Sequence, residues 1–380
     1  MTESTTSPLT GLYKPTQLAR LYYGPGSVKT HLLSTLPTPT SKAFIITGNS
    51  LATKTPLIKD VEHLLTSTHH AGTFSNIKQH APVADLDRAT ELVAEDSAID
   101  TVISIGGGSP IDSAKAISHR THARTGKWLY HISIPTTLSA GECTYMAGYT
   151  EASGVKTGVS DEHLAPAVIL YDASFGLHTP PTLFLSTGLR ALDHAVELLY
   201  HETISEMPGR VMSINAAAAL FKYLPLYKAD PKNVDTITQL QLAAFESLGF
   251  RGTNVKGGLG LSHSLGYALG SPYGIPHGIT SCLTLGHVVK LKAAADQGAA
   301  REVARVLPVI GGKASGDDRK DAEEVGDRIL ELVRGLGLEK TLGGYGVGED
   351  QVGIIVKRAT GGLEEGELFD KVAALVKGLY

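Results

Sequence analysis

The stretch "DTVISIGGGSPIDSAK" (residues 100–115) decides the fold. Its first half is a run rich in β-branched residues, the pattern of a buried strand, and a helical pattern opens directly after three glycines. Gly106, Gly107 and Gly108 have no side chains where the chain leaves the strand, so a phosphate can come close to the backbone. Ser109 reads as the helix N-cap, Pro110 as the first helical residue and Asp112 as the partner in a capping box. A helix N-terminus at the end of a strand is a ready anion site. The bland alternative is a tight turn that merely starts a helix. The pattern is neither G-x-G-x-x-G nor a Walker loop, so neither of those motifs assigns it.

Working outward, "KAFIITG" (42–48) is another buried strand, followed by the helical "ATKTPLIKDVEHLLTST"; "ADLDRATELVAED" is helical again. "LYHISIPTT" (129–137) is a further strand, and Thr136 and Thr137 at its end bring hydroxyl donors to the same crevice. Strands alternating with helices predict a parallel, doubly wound sheet with ligands at the carboxyl ends of its strands. After "HTPPT" the texture turns helical, with helices expected over 183–203, 208–228, 235–250, 258–270, 277–308, 317–336 and 362–378. The Pro180–Pro181 pair marks the boundary. Two domains are expected, 1–180 α/β and 181–380 α-helical.

Composition narrows the partners. At 42% hydrophobic and 19% charged residues the chain folds, and a net charge of -4 gives no reason to expect nucleic acid or an anionic membrane. Cys143 and Cys282 are too few for a disulfide framework or a zinc ribbon. No apolar run approaches the roughly 20 residues of a membrane span, and "MTESTTSPLTGLYKPTQ" lacks the apolar core of a signal peptide. A cytoplasmic enzyme with a small-molecule substrate is the expectation.

In "STGLRALDHAVELL" (186–199), Arg190, Asp193, His194 and Glu197 fall at i, i+3, i+4 and i+7 and share one helix face. A His and two carboxylates can bind a metal, but Arg190 is a fixed cation in their midst. His263 lies on a predicted helix, and His277 follows Pro276 where another helix begins. Three imidazoles with an open position are a catalytic zinc or iron pattern. With 15 histidines in the chain, that selection carries little weight alone.

Taken together, "GGGSPIDSAK", "PTT", the Lys of "GVKTGVSDEHLAPAVILYD", "TPPTLFLSTG" and "H…PHG" stand in the order and spacing of a known family. From "LYYGPGSV" (21–28) to about residue 290 the chain resembles the iron-containing (group III) alcohol dehydrogenases and maleylacetate reductases, closer to the latter. The last ninety or so residues are similar only in helical texture. The resemblance implies a dehydroquinate synthase-like fold: an α/β N-terminal dinucleotide-binding domain, an all-α C-terminal domain, and a cleft between them where NAD(P)H meets substrate. It also implies a homodimer. By position, it implies that Gly106, Gly107, Gly108, Ser109, Asp112, Thr136, Thr137 and Lys156 contact the cofactor. Members prefer NAD when an acidic residue follows the strand matching "AFIIT". Gly48 and Asn49 stand there in this chain, so nothing anionic repels a 2′-phosphate, and NADP is admitted as well as NAD.

The departures from the family bear on the metal. Members that use one hold it with an Asp, a His four residues later, and two further His. His194, His263 and His277 match the imidazoles, but Arg190 stands at the Asp position, and Tyr267 replaces a His that relays a proton. Two like charges about 4 Å apart repel by roughly 4 kcal/mol at an effective dielectric near 20, and a divalent ion doubles this. The expectation is therefore no catalytic Fe or Zn. Arg190 would instead polarise a carbonyl or bind a carboxylate bidentately, with Lys256 adding charge to the same cleft. Alternatively, Arg190 is a structural bridge to Asp193 or Glu197.

The resemblance thus implies a metal-independent NAD(P)H-dependent reductase of a small carbonyl or unsaturated keto acid. His263, His277 or Tyr267 would deliver the proton. Two alternatives are a metal-dependent alcohol dehydrogenase, using His194, His263 and His277, and a non-redox lyase or cyclase on the same scaffold.

Overall fold

The computed structural model describes residues 10–79, 81–152 and 156–380. Six parallel strands form one sheet: β1 (Arg20–Tyr23), β2 (Lys42–Thr47), β3 (His70–Phe74), β4 (Ile99–Gly106), β5 (Tyr130–Pro135) and β8 (Val168–Tyr171). They lie in the order β1-β8-β5-β4-β2-β3. β6 (Met146–Thr150) and β7 (Lys156–Ser160) make a separate antiparallel hairpin. Helices α1 (Ser27–Thr35), α2 (Asn49–Lys54), α3 (Leu57–His69), α4 (Val83–Ala94), α5 (Gly108–Thr125) and α6 (Ala173–Gly176) belong to this half.

Both faces of the sheet are dry. Ile45, Ile103, Ile105, Ile132 and Ile134 pack on one side with Val28, Leu32, Val61 and Leu65; Phe44, Ile46 and Val102 pack on the other with Ala89, Val93, Ala114 and Ile117. Burial on both faces is why these strands read as continuous apolar runs rather than as alternating patterns.

The rest is helical: α7 (Pro181–Leu199), α8 (Val211–Ala229), α9 (Val234–Leu248), α10 (Leu261–Tyr273), α11 (His277–Ala295), α12 (Gln297–Ala304), α13 (Asp318–Leu336), α14 (Val352–Ala359) and α15 (Glu367–Lys377). One large apolar cluster holds it together, with Leu189, Leu192, Val196, Leu220, Leu265 and Leu285 all inaccessible. α7 is buried from Phe184 through Leu199, so its charged stripe faces protein rather than water. Among the described residues, no helix is long and apolar enough to cross a membrane.

Several local expectations are corrected. Helix α5 begins at Gly108, with Gly107 in the cap position, so Ser109 is not the N-cap; no side chain caps this end. Asp112 accepts a hydrogen bond from the Gly148 amide (3.2 Å) instead of closing a capping box. Glycines can enter a helix without a side-chain clash, which lets it start a residue early. The single helix expected over 277–308 divides at Asp296, whose carboxylate accepts from Ala299 N (3.1 Å) and caps α12. The last helix starts at Glu367 rather than 362, because Gly361, Gly362 and Gly366 all take positive φ. Pro56 separates α2 from α3, where one helix had been read. Strands β1, β3, β6, β7 and β8 are additional to the expectation.

Candidate active site

The glycine turn ends β4, and the chain beyond β5 folds down beside it. Thr136 N donates to Gly106 O (2.9 Å), and the Thr137 hydroxyl pairs with Ser139 (2.8 Å). A Cβ on Gly107 would meet Thr137 at 3.1 Å, and one on Gly141 would meet the Gly108 Cα at 3.6 Å. Bare backbone on both sides of the α5 N-terminus lets these segments approach closely, and a helix N-terminus at the end of a strand favours an anion.

Lys115 ties α5 to the segment that follows β5. Fully buried, it donates to Gly141 O (2.6 Å), Thr144 Oγ1 (3.0 Å) and Met146 O (2.9 Å). Gly106 sits at φ +141°, and a Cβ there would come within 3.0 Å of Pro110. Gly106→Ala is expected to weaken NAD(P)H binding about tenfold and to cost roughly 1–3 kcal/mol of stability from the strained backbone. Fluorescence titration and thermal melting read the two effects.

Gly48 precedes α2, and Asn49 lines a cavity of about 320 Å³ together with Asn76, Lys78, Asp85 and Arg88. Lys156 opens β7, and its side chain lies outside the described residues.

The stripe on α7 meets the start of α10 in a closed polar network. Glu197 accepts from the amides of Gly260 (2.8 Å), Ser262 (2.7 Å) and His263 (3.2 Å), from His263 Nδ1 (2.7 Å) and from the Tyr200 hydroxyl (3.2 Å). It is thus the N-terminal cap of α10, supplied by another helix. Asp193 Oδ2 accepts from Ser262 (2.9 Å) and Ser281 (2.6 Å), and its Oδ1 lies 3.3 Å from His263 Nδ1.

Arg190 runs alongside this network. Its Nη1 is 3.5 Å from Asp193 Oδ2 and donates to Ser281 (3.3 Å), while its Cζ lies 6.0 Å from the Tyr267 ring centre. Gly266 makes room, since a Cβ there would meet Arg190 Nη1 at 3.2 Å. Nε and Nη2 of Arg190 donate to no described residue. The expected alternative of a bridge to Asp193 is therefore present in the geometry, but it uses only one end of the guanidinium.

Burial, with His263, Arg190 and Arg251 nearby, holds His194 well below the usual imidazole range. For His263, burial and Arg190 oppose the cation, but Asp193 and Glu197 outweigh them and the net shift is upward. The two rings lie 4.9 Å apart. With Nδ1 of His263 held by Glu197, its Nε2 is buried without a hydrogen-bond partner among the described residues, as is Nδ1 of His194. Tyr267 is 52% exposed and packs edge-on against His277 at 6.1 Å. Arg190, His194, His263, Tyr267 and His277 are thereby brought together. Lys256 is not shown with them: it is exposed and lines a cavity of about 680 Å³ with Tyr200, Ser264, Lys292 and Lys371, to which neither Arg190 nor the three histidines contribute.

A tetrahedral zinc with Zn–N near 2.0–2.1 Å needs its ligand atoms roughly 3.3 Å apart. Among the described residues, the one trio of metal-binding types with donor atoms within 4.8 Å of one another is Asp193, Glu197 and His263. Within that trio the Glu197 oxygens are taken by amides and by His263, whereas Asp193 Oδ1 is buried with no hydrogen-bond partner among the described residues. His194, His263 and His277 are not gathered to that distance, and the fourth position is a guanidinium. As placed, the three imidazoles and the guanidinium do not form a tetrahedral ligand set.

Signals for four further residues are weak or missing in the sequence. The role of Glu197 depends on a helix 63 positions away. Lys78 and Arg88 reach Asn49 only through the fold, and Arg251 belongs to no motif.

Comparison with known proteins agrees with this architecture. The family model described as iron-containing alcohol dehydrogenase matches residues 19–173, and that described as Fe-containing alcohol dehydrogenase family, C-terminal, matches 184–370. A maleylacetate reductase of Rhizobium sp. (strain MTP-10005) is 30% identical over 292 residues, 76% of this chain and 75% of the relative. The 1-propanol dehydrogenase PduQ of Citrobacter freundii is 28% identical over 291 residues, 75% of each chain. The crystal structure of maleylacetate reductase from the same Rhizobium strain superposes with a TM-score of 0.80 at 25% identity, covering 99% of both chains. With both halves matched, the chain belongs to the iron-containing alcohol dehydrogenase family and is an NAD(P)-dependent oxidoreductase.

Proposed function

We propose that the protein is a metal-independent reductase of a small carboxylate-bearing carbonyl or enoate, of the maleylacetate type, with NADPH as the favoured reductant. The observation that carries this reading is Arg190: a buried guanidinium at the family's acidic metal-ligand position, tied to Asp193 and Ser281 through Nη1, with Nε and Nη2 donating to no described residue. A planar fork anchored at one end suits a carboxylate or a developing enolate at the other. NADPH, when bound, supplies the hydride. His194, kept neutral by burial and by neighbouring cations, neither repels nor competes for the substrate anion. His263, its Nδ1 fixed by Glu197, presents Nε2 for proton delivery, with Tyr267 and His277 beside it.

Lys78 and Arg88 support NADPH over NADH. They line the cavity at Asn49 with a single carboxylate, Asp85, against them, so a 2′-phosphate meets net positive charge.

The test is oxidation of NADPH and of NADH with maleylacetate, with and without EDTA. Turnover is expected to stay within about twofold of its starting rate in chelator, with kcat/KM about tenfold higher for NADPH. Loss of activity in EDTA that zinc or iron restores would sink the metal-free reading, and a preference for NADH would remove the role of Lys78 and Arg88.

A further inference from the structure

Tyr171 ends β8 and is fully buried, and its hydroxyl donates to Glu142 Oε1 (2.6 Å). Glu142 is itself buried, in the short turn Gly141–Cys143 that follows β5. Its other carboxylate oxygen has no hydrogen-bond partner among the described residues. A carboxylate loses its hydration on burial, and one tyrosine hydroxyl replaces only part of it, so packing alone favours an apolar side chain here. Neither residue belongs to the network around Arg190 and His263.

What Glu142 holds is the backbone beside it. Ala140, fully buried, takes φ +53°, a left-handed conformation that L residues seldom adopt and that persists where the surroundings enforce it. Two ties reach this turn from opposite sides. Lys115 of α5 draws on Gly141 O, and Tyr171 of β8 draws on the neighbouring side chain. β5, whose end leads into the turn, lies between β4 and β8, so Tyr171 pulls from the strand on the far side of the glycine turn. Between the two ties the turn sits against the start of α5. A Cβ on Gly141 would lie 3.6 Å from Gly108 Cα, and one on Gly108 would lie 3.9 Å from Ser139 Cβ. Ser139 carries the hydroxyl partner of Thr137, so that pair is placed through the same turn.

We propose that Glu142 is a positioning residue for the dinucleotide: gripped by Tyr171, it sets Ser139–Cys143 against the start of α5 and so shapes the anion site there without touching the cofactor. This rests on the reading of the glycine turn as the place of the dinucleotide phosphates.

Affinities for NADPH and NADH are measured by fluorescence titration well below the melting temperature of each variant, with thermal melting recorded beside them. Tyr171→Phe, which removes only the hydroxyl, should weaken both dinucleotides about fivefold, and Glu142→Ala should weaken both about tenfold. The two losses should be equal for NADPH and NADH, because the phosphates at the α5 N-terminus are common to both. Glu142→Gln keeps an acceptor for Tyr171 and should stay within about twofold of wild type. If Glu142→Ala does not melt cooperatively, Tyr171→Phe and Glu142→Gln decide. Dinucleotide affinities unchanged in Tyr171→Phe, whatever the melting temperature does, overturn the proposal and leave Glu142 a packing residue. A loss confined to NADPH overturns it too, since that belongs to the cavity at Asn49. So does a loss in Glu142→Gln as large as in Glu142→Ala, which would make the charge and not the grip of Tyr171 the cause. Gly106→Ala run alongside keeps the two readings apart. Unchanged affinity in that variant removes the reading of the glycine turn, whereas a loss there with none in Tyr171→Phe removes only the role of Glu142.

Discussion

Arg190→Ala is expected to lower kcat/KM for maleylacetate roughly 30- to 3,000-fold, from the 2–5 kcal/mol lost when one partner of a buried charged hydrogen bond is truncated. NADPH affinity should stay near wild type, because the glycine turn and Lys115 are built from other elements. The variant should fold: Asp193 keeps Ser262, Ser281 and the neighbouring His263 after the arginine is gone. Arg190→Lys retains the charge but not the fork, so an intermediate loss is expected. Steady-state kinetics beside a cofactor titration read the outcome. If NADPH affinity falls in step with kcat/KM, Arg190 is a structural bridge and the anion-binding role is lost with it.

The second large effect is on folding. Glu197→Ala removes one side chain that satisfies three amides, an imidazole and a phenol, all from inside the protein. Breaking a buried charged network from one side costs about 3–5 kcal/mol. In a domain of 150–250 residues each kcal/mol is worth roughly 2–4 °C, so Tm should fall by roughly 6–20 °C. Glu197→Gln should recover only part of this, since its NH₂ would face amide donors that want an acceptor. Calorimetry measures the change, and a Tm within about 2 °C of wild type would show that α10 needs no cap from α7.

How far the sequence foretells these features depends on how local their causes are. The parallel sheet and the glycine turn are legible because strand, turn and helix lie within "DTVISIGGGSPIDSAK" and both sheet faces are apolar. The N-cap is misread because three glycines leave the helix start free to move by a residue, and Ser109 is only the best of the side chains nearby. β3, "HAGTF", is missed because small and polar residues on an edge strand carry little hydrophobic signal. The helix face bearing Arg190, Asp193, His194 and Glu197 follows from period alone, but its burial does not. A charged stripe reads as solvated until the partners Ser262, Ser281 and the α10 amides are known. Arg251 is the limiting case, since an arginine in a loop looks ordinary until its burial is seen.

The ties made by Lys115 bear on how firmly the two halves are joined. Because its ammonium grips Gly141, Thr144 and Met146 from α5, the phosphate turn and the base of the hairpin travel as one rigid block. The same loop is packed against the helical half, where Ala140 and Cys143 share an apolar cluster with Leu198, Ile204, Leu248 and Val255. Thr179 also donates to Thr136 O (2.7 Å), and Leu138 N donates to Thr187 (3.1 Å). The turn at the α5 N-terminus is thus held in its shape from both halves at once.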